Sequence, residues 1–330
     1  MKILITGGGG FLGSMLAKEL LRRGQLIGTS GEFESIAEIR LLDMGFAHPA
    51  DDPRVVQLTG DVSNRDVVCS AVGSGTAAAT GIFHLASMVS GECELRFDDA
   101  LRVNLDGGRH LFEAARGTPT RTRLVFASSI ACFGGDEITA PFSDHSKLLP
   151  RTTYGMTKAI CELLVNDYSR KGYFDGRSAR LPTVIIRPGR PNAAASSWAS
   201  GMFREPLAGQ PCMLPVRREQ SHPMTGYRTV IDSLICLFEL EESRLGCDRA
   251  VGLPAHRVTP QAAEQALRQI AEQRGLRIGE IVDAPDARIQ SIVDGWATEI
   301  DGRRALAFGM PHPPSLSEII SQYLDDFTSP

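Results

Sequence analysis

The sequence lacks three features that would assign it to a special class of protein. Its seven cysteines are scattered without a Cys-x-x-Cys pair, so their spacing indicates neither a disulfide framework nor a zinc site. No apolar run approaches the ~18 residues of a membrane span. Lys and Arg total 35 against 39 for Asp and Glu, so no positive surplus exists to attract nucleic acid or anionic lipid. We therefore expect no metal, no nucleic-acid partner and no membrane partner.

The composition is that of an ordinary globular protein. Hydrophobic residues make up 42% and charged residues 22% of the chain, and 330 residues are enough for one large domain plus a smaller one. The apolar run at 1–5 ends at a glycine cluster and is too short for the core of a signal peptide. A cytoplasmic location is therefore expected.

The first half of the chain alternates short β-rich runs with amphipathic runs of helical period. The predicted strands are 2–6, 39–43, 55–58, 81–86, 124–128 and 183–187. The predicted helices are 11–23, 97–116 and 154–168. Such alternation implies right-handed crossovers and helices on both faces of a parallel sheet. We therefore predict an α/β fold with a doubly wound parallel (Rossmann) sheet over residues 1–187.

The pattern changes after the last of these strands. Residues 188–220 are rich in Pro, Ala, Ser and Arg and show no long periodic run. Farther on, one helix is predicted over 259–275 and another over 315–327, the second with a capping-box pattern at its start. We expect 188–330 to form mainly a smaller C-terminal substrate-binding subdomain, with 226–242 returning to the first domain.

A glycine cluster lies between the first predicted strand and the first predicted helix. A glycine cluster alone could be a plain turn, but this position is typical of a loop whose backbone N–H groups hold the pyrophosphate of a dinucleotide. The residues expected to contact the cofactor there are Gly7, Gly10, Phe11, Leu12 and Gly13.

Residues at the ends of the next three strands extend the predicted cofactor site. A carboxylate at Asp43 can accept both hydroxyls of the adenosine ribose and would repel a 2′-phosphate, which favours NAD over NADP. The alternative is that Asp43 only caps a loop. Asp61 and Val62, after the third strand, suit contacts with adenine. Leu85 and Ala86, at the end of the fourth strand, would line the cofactor.

A tyrosine and a lysine four residues apart begin a predicted helix. Residues at this spacing share a helix face, so the ammonium of Lys158 should lie near the phenol of Tyr154. A free tyrosine titrates near about 10, and we expect the lysine, together with a positive nicotinamide, to lower that pKa enough for Tyr154 to act as a base. Ser129, at the tip of the fifth strand, can hold the substrate oxygen. The predicted catalytic residues are Ser129, Tyr154 and Lys158, of which the last two would also contact the cofactor.

These motifs together resemble the extended short-chain dehydrogenase/reductase superfamily, also called the NAD-dependent epimerase/dehydratase family. The match runs from the Thr-Gly-x-x-Gly-x-x-Gly loop through the Ser-Ser-Ile-Ala-Cys-Phe-Gly run at 128–134 to the Tyr-Gly-Met-Thr-Lys at 154–158. The resemblance extends to about residue 240 and implies NAD as cofactor and a Ser-Tyr-Lys triad. It also implies a cofactor-side role for Asn104 and a homodimer formed through the helices around 97–116 and 154–170.

The segment after the sixth predicted strand departs from the Arg-x-x-Asn-x-Tyr-Gly-Pro that nucleotide-sugar enzymes of this family usually show. Its small residues, hydroxyls and two arginines suit a small, polyhydroxylated, anionic substrate. The run is similar to that of sugar-acid dehydrogenases, which oxidise a C2 hydroxyl to a 2-oxo acid with NAD. The predicted substrate-binding residues are Ser87, Ser129, Arg190, Asn192, Ser196 and Arg204. For Arg190 or Arg204 alone, a surface or structural charge is the alternative.

Two other functions stay open at this point. A nucleotide-sugar epimerase or dehydratase would use the same triad and differ only in its substrate segment. A non-catalytic NAD-sensing protein is disfavoured because Tyr154 and Lys158 are both present. His84 is predicted to be a packed strand residue. His222 and His256 could serve a substrate pocket, but a loop position is predicted for both because neither has an evident partner in the sequence.

Overall fold

The computed structural model describes residues 1–135, 141–190 and 194–328. Its strands are β1 (Lys2–Thr6), β2 (Gln25–Ile27), β3 (Phe33–Ser35), β4 (Glu38–Asp43), β5 (Val55–Thr59), β6 (Gly81–His84), β7 (Arg123–Ser129), β8 (Asp175–Leu181), β9 (Thr183–Ile185), β10 (Cys212–Leu214), β11 (His222–Gly226), β12 (Ala250–Gly252), β13 (His256–Val258) and β14 (Ile281–Asp283). Its α-helices are α1 (Phe11–Arg23), α2 (Arg65–Val72), α3 (Ser90–Leu95), α4 (Phe97–Ala100), α5 (Gly107–Arg116), α6 (Thr153–Arg170), α7 (Ser197–Leu207), α8 (Tyr227–Glu239), α9 (Pro260–Gln273), α10 (Ala287–Asp294), α11 (Arg303–Ala307) and α12 (Leu316–Phe327).

A seven-stranded parallel sheet with the order β12-β8-β7-β6-β1-β4-β5 forms the centre of the protein. Strand β1 lies between β6 on one side and β4 on the other, so the direction of strand addition reverses there. In open sheets of this kind a ligand binds in the crevice at the carboxyl ends of the strands beside that reversal. The predicted doubly wound α/β fold is confirmed.

Both faces of the sheet are buried, which explains why its strands read as continuous apolar runs. Successive side chains of β1 point to opposite faces. Ile3 and Ile5 belong to a core shared with α1 and α8, whereas Leu4 belongs to a core shared with α2, α5 and α6. The predicted helix over 97–116 is present as α4, a π-helical segment (Leu101–Asp106) and α5.

The prediction that 183–187 is the sixth strand of the main sheet is wrong. Strand β8 holds that position beside β7, whereas β9 joins a small sheet with the order β13-β11-β9. The sequence of β8, Asp-Gly-Arg-Ser-Ala-Arg-Leu, carries charges that hid it from a search for apolar runs. Arg177 is nevertheless fully buried, because it pairs with Asp175 and donates to three carbonyls at the end of α8. Ion pairs make this charged strand compatible with the core.

The residues after β8 build a second core from β9, β11 and the helices α7, α9 and α12. The two predicted C-terminal helices are confirmed. Thr259 caps α9, and Ser315 caps α12 in a capping box with Glu318. Helix α8 packs with α1 against the main sheet instead. Within the described ranges, no helix combines the length and apolar character needed to cross a membrane.

Candidate active site

A cavity of about 690 Å³ opens at the carboxyl ends of the central strands. Its wall consists of the β1–α1 turn, the ends of β4, β6 and β7, the start of α6 and the segment that contains β9. The residues from the sequence prediction that line it are Gly7, Gly10, Phe11, Leu12, Gly13, Asp43, Asp61, Val62, Leu85, Ala86, Ser87, Ser129, Tyr154, Lys158 and Ser196. The fold thus brings the predicted cofactor loop and the predicted triad to one cavity.

The turn between β1 and α1 leaves space against its backbone. Gly7 has a left-handed φ of +73°, and a Cβ there would lie 2.8 Å from the backbone nitrogen of Ala86. A Cβ on Gly13 would lie 2.1 Å from the carbonyl oxygen of Gly7, so a side chain would push α1 off the turn. The N-cap, Gly10, provides no side-chain cap for α1, which leaves the positive end of the helix open to an anion. These features fit the pyrophosphate of a dinucleotide.

Asp43 ends β4 beside this turn. Its carboxylate accepts hydrogen bonds from the backbone N–H groups of Gly9 (2.9 Å) and Met44 (2.7 Å), so it braces the turn as the alternative interpretation held. The same carboxylate lines the cavity next to the glycine loop, where the ribose of a dinucleotide would lie. Asp43 is therefore placed to support the loop and to bind ribose hydroxyls.

Asp61 lies farther along the same edge of the sheet. Its carboxylate accepts from the backbone of Ser63 (2.8 Å) and pairs with Arg102 (3.0 Å). Burial opposes ionisation, but these hydrogen bonds outweigh it and lower the pKa of Asp61. Arg102 also lines the cavity and was not predicted from the sequence. Its guanidinium thus holds Asp61 in place at this edge of the cavity.

Ser129, Tyr154 and Lys158 meet in the middle of the cavity. Strand β7 ends at Ser129, and α6 begins under a side-chain cap from Thr152, which places Tyr154 in the first turn. The Lys158 ammonium lies 5.4 Å from the centroid of the Tyr154 ring and donates to the carbonyl of Ala127 at 2.8 Å. The Ser129 side chain lies close enough to the Tyr154 phenol to influence its pKa. The hydroxyl, the phenol and the ammonium are therefore neighbours in the same cavity as the glycine loop.

Burial controls the charge of this group. It raises the pKa of Tyr154 above its ordinary value, and the nearby Ser129 offsets only part of that rise. It also lowers the pKa of Lys158 to about 8. That Lys158 and a positive nicotinamide together lower the pKa of the phenol stays a prediction, because the polypeptide alone shows the effect of burial. The ammonium contacts the ring face and the Ala127 carbonyl, and a further positive charge is needed to favour the phenolate.

Asn104 lies behind the cavity and does not line it. Its buried side chain accepts from the backbone N–H of Met88 (2.7 Å), donates to the Met88 carbonyl (3.3 Å) and lies 3.5 Å from the Thr157 hydroxyl. It thus ties the segment after β6 to α6. The predicted cofactor contact of Asn104 is corrected to an indirect role, in which it positions the loop that carries Ser87.

The two arginines predicted to bind substrate do not line the cavity. Arg190 is exposed. Arg204 is buried in α7, where it donates to the Arg187 carbonyl (3.0 Å) and pairs with Glu205 (2.5 Å). Arg190 therefore matches the alternative of a surface charge, and Arg204 matches that of a structural charge. Asn192 lies outside the described residues.

Arg187 lines the cavity where those arginines were expected. It is half-buried just after β9, and one Nη donates to the Arg190 carbonyl at 2.7 Å. Burial and the neighbouring Arg204 lower its pKa. Within the described ranges, no carboxylate forms an ion pair with Arg187. A guanidinium without such a partner is suited to an anionic substrate. Its position directly after a strand was the signal that the sequence offered.

The three histidines considered in the sequence lie in different environments. His84 is packed as predicted, with Nδ1 2.6 Å from the Thr6 hydroxyl, and burial lowers its pKa to about 3. His256 donates a hydrogen bond from Nε2 to the carbonyl of Pro314 at 2.8 Å. The prediction that His222 and His256 lie in loops is wrong, because His222 begins β11 and His256 begins β13. His222 also lines the cavity beside Trp296. Among the described side chains, no group of three or more His, Cys, Asp or Glu is arranged to hold a metal ion.

Comparison with known proteins identifies the family. The profile of the NAD dependent epimerase/dehydratase family matches residues 3–235, which is more than half of the chain. The chain belongs to this family. NAD is its cofactor, and the resemblance seen in the motifs is confirmed.

Two curated relatives match over nearly the whole chain. A D-erythronate dehydrogenase of Cupriavidus necator is 42% identical and covers 99% of this chain and 98% of its own length. A D-erythronate dehydrogenase of Haemophilus influenzae is 36% identical and covers 98% of this chain and 99% of its own length. A solved structure described as a nucleoside-diphosphate-sugar epimerase from Agrobacterium tumefaciens is 37% identical, with a TM-score of 0.88. The match covers 99% of this chain and 94% of that chain. With the family match, the two dehydrogenases identify the chain as an NAD-dependent dehydrogenase.

Proposed function

We propose that this chain oxidises the C2 hydroxyl of a small sugar acid to the 2-oxo acid, with D-erythronate as the first candidate substrate. One observation carries the proposal. A single cavity has the glycine loop at one end, the Ser129–Tyr154–Lys158 group in the middle, and Arg187, without an ion-pair partner among the described residues, at the other end. The likeness to two D-erythronate dehydrogenases over nearly the full chain supports the substrate.

In the proposed reaction Tyr154 removes the proton of the substrate hydroxyl while Ser129 holds the substrate oxygen by a hydrogen bond. NAD held along the glycine loop would supply the hydride acceptor and a positive nicotinamide. Burial raises the pKa of Tyr154, so positive charge near its ring is needed to favour the phenolate. Lys158 would supply part of that charge. Its ammonium donates a hydrogen bond to the Ala127 carbonyl.

The remaining lining residues divide between cofactor and substrate. The N–H groups of the 7–13 loop would hold the pyrophosphate, Asp43 the ribose, Asp61 and Val62 the adenine, and Leu85 and Ala86 the inner part of the cofactor. The guanidinium of Arg187 would pair with the carboxylate of the sugar acid. Ser87 and Ser196 would reach its hydroxyl groups.

A substrate screen tests this proposal. Purified protein is incubated with NAD and with four- to six-carbon aldonates and uronates, and NADH is followed at 340 nm. We expect the highest kcat/KM with D-erythronate, and a lower value when NADP replaces NAD, because Asp43 would repel the 2′-phosphate. If the protein binds NAD and reduces it with none of these acids, the proposed substrate class is wrong.

The second candidate is a nucleotide-sugar epimerase, which the description of the Agrobacterium tumefaciens structure favours. Such an enzyme reduces and reoxidises its cofactor in one turnover and accumulates no NADH. Product analysis after incubation with nucleotide diphosphate sugars separates the two candidates. The segment after Arg187 argues for the dehydrogenase, because it lacks the Tyr-Gly-Pro that those epimerases usually show.

We also propose a homodimer that forms through the outer face of α3, α4 and α6. Leu95, Phe97 and Leu163 lie on these neighbouring helices and expose 67%, 52% and 60% of their surface. Large apolar side chains clustered on one face are typical of an interface. Light scattering should give twice the 35.7 kDa mass of the chain, and Leu163→Arg should give the monomer. A monomeric parent protein would rule this interface out.

A further inference from the structure

An aromatic wall closes the substrate end of the cavity, and the proposed chemistry does not use it. His222 and Trp296 both line the cavity, with ring centroids 5.1 Å apart. Trp198 lies behind them, 6.2 Å from the His222 ring. The three residues expose only 1%, 8% and 6% of their surface, so the wall is almost fully buried.

Three nitrogen atoms of this wall lack a hydrogen-bond partner within the described part of the chain. They are Nδ1 of His222, Nε1 of Trp296 and Nε1 of Trp198. The other nitrogen of His222, Nε2, lies 2.5 Å from the Thr183 hydroxyl, which fixes the orientation of the ring. Buried polar groups almost always have a partner. Because His222 and Trp296 also line the cavity, a ligand bound there would supply the missing partners of these two residues.

The charge of the wall indicates which part of the substrate it would meet. Burial lowers the pKa of His222 to about 3, so the imidazole is neutral, and its neighbours Thr183, Trp198 and Trp296 carry no charge. An indole N–H only donates, whereas a neutral imidazole nitrogen can accept or donate. A hydroxyl group both donates and accepts, so it can satisfy the two together. A carboxylate has its natural partner in Arg187, which lines the same end of the cavity.

We propose that His222 and Trp296 bind a hydroxyl of the substrate that is remote from the reacting carbon, and so select polyhydroxylated acids over simple 2-hydroxy acids. Thr183 positions His222 for this contact by occupying its Nε2. The inference rests on the proposed function, since it names how the same cavity distinguishes among acids. It differs from that function in predicting a preference between two acids that are both oxidised at C2.

The test compares two substrates in the parent protein and in two variants. His222→Phe keeps an aromatic ring against Trp296 and removes both nitrogens, and Trp296→Phe removes only the N–H. D-erythronate is compared with D-2-hydroxybutyrate, the four-carbon acid without the remote hydroxyls. We expect the preference for D-erythronate, as a ratio of kcat/KM values, to fall roughly 10- to 100-fold in His222→Phe, because only D-erythronate loses a hydrogen bond. If the analogue turns over too slowly, its inhibition constant replaces its kcat/KM.

Two controls separate substrate recognition from folding. NAD affinity and thermal unfolding should stay close to those of the parent protein in both variants. His222→Asn keeps a polar atom near the position of Nδ1 and should restore part of the preference. If His222→Phe fails to fold, Trp296→Phe and His222→Asn decide the question.

The possible failures are distinguishable. If the parent protein oxidises none of the sugar acids, the proposed function fails, and this inference fails with it before any variant is made. Suppose that the parent oxidises D-erythronate. If the variants then lose activity equally with both acids, or keep full activity with both, only the role of His222 and Trp296 is overturned. A selective loss with D-erythronate supports it.

Discussion

The two ends of the cavity are built in opposite ways. The NAD end is one continuous turn at 7–13, and it offers mainly backbone N–H groups at the start of α1. The substrate end brings together side chains from three separate segments: Arg187 after β9, His222 on β11 and Trp296 after α10. The proposed cofactor contacts therefore depend on local backbone conformation, whereas the proposed substrate contacts depend on how distant segments pack. Variation at the substrate end can change specificity while the cofactor end stays intact.

A buried ion network holds the middle of the cavity between these ends. Glu162 lies one helical turn after Lys158, accepts from the Ser128 hydroxyl (2.5 Å) and pairs with Arg180 of β8 (2.9 Å). Arg180 continues to the carbonyl of Asp144 at 3.2 Å. These contacts join the catalytic helix α6 to the end of β7, next to Ser129. The ion network thus fixes α6, which carries Tyr154 and Lys158, against the strand that carries Ser129.

The largest effect is expected from the centre of the cavity. Tyr154→Phe removes the proton acceptor, so turnover should fall by about 10²–10⁴-fold while the Kd for NAD stays nearly unchanged. Steady-state kinetics and NAD titration measure the two quantities. The matched control is Tyr168→Phe, in the same helix, where the hydroxyl bonds Glu113 away from the cavity. Near-normal turnover in Tyr154→Phe would remove the proposed mechanism.

A smaller and more selective effect is expected at the substrate end. Arg187→Met removes the guanidinium proposed to hold the carboxylate, so kcat/KM should fall by about 10- to 100-fold, mainly through KM, because such charge-assisted bonds contribute about 1.5–3 kcal/mol. NAD affinity should not change. Arg190→Met makes the same charge change at an exposed site and should leave the kinetics as they are. Equal losses in both variants would show that net charge, not a specific contact, attracts the substrate.

The smallest effect concerns stability. It is expected from two buried histidines, one in each half of the molecule. His84 and His222 ordinarily titrate near 6.5, but burial lowers both pKa values to about 3. Between these pH values the unfolded chain binds protons that the folded protein does not. The free energy of unfolding should therefore fall as the pH drops below 6.5, by up to about 1.4 kcal/mol per pH unit for each histidine.

Urea unfolding at pH values from 7 down to 5 measures this slope. The carboxyl groups of Glu19 and Asp52, whose pKa values are lowered to about 2, contribute little in that range. His84→Phe should reduce the slope while lowering stability at every pH, because Thr6 loses its partner. An unchanged slope would mean that His84 is protonated in the folded protein.

Sequence patterns predicted the elements whose signals are local. Helix α1 has the predicted bounds, and α12 begins at the predicted capping box. Strands β8 and β12 were missed, because β8 is charged and β12 has only three residues. The arginines of β8 are buried by partners far along the chain: Glu162 lies in α6, and the carbonyls bound by Arg177 end α8. No local window contains that information.

For this protein, the sequence alone determined the glycine loop, the spacing of Tyr154 and Lys158, and the family, because each depends on residues that are neighbours in the chain. Only the tertiary structure decided that Arg187 rather than Arg190 or Arg204 reaches the cavity, and that His222 meets Trp296 there. It also decided the surroundings of Tyr154, where burial raises the pKa of the phenol. Contacts and desolvation depend on packing between distant segments, which a linear pattern does not contain.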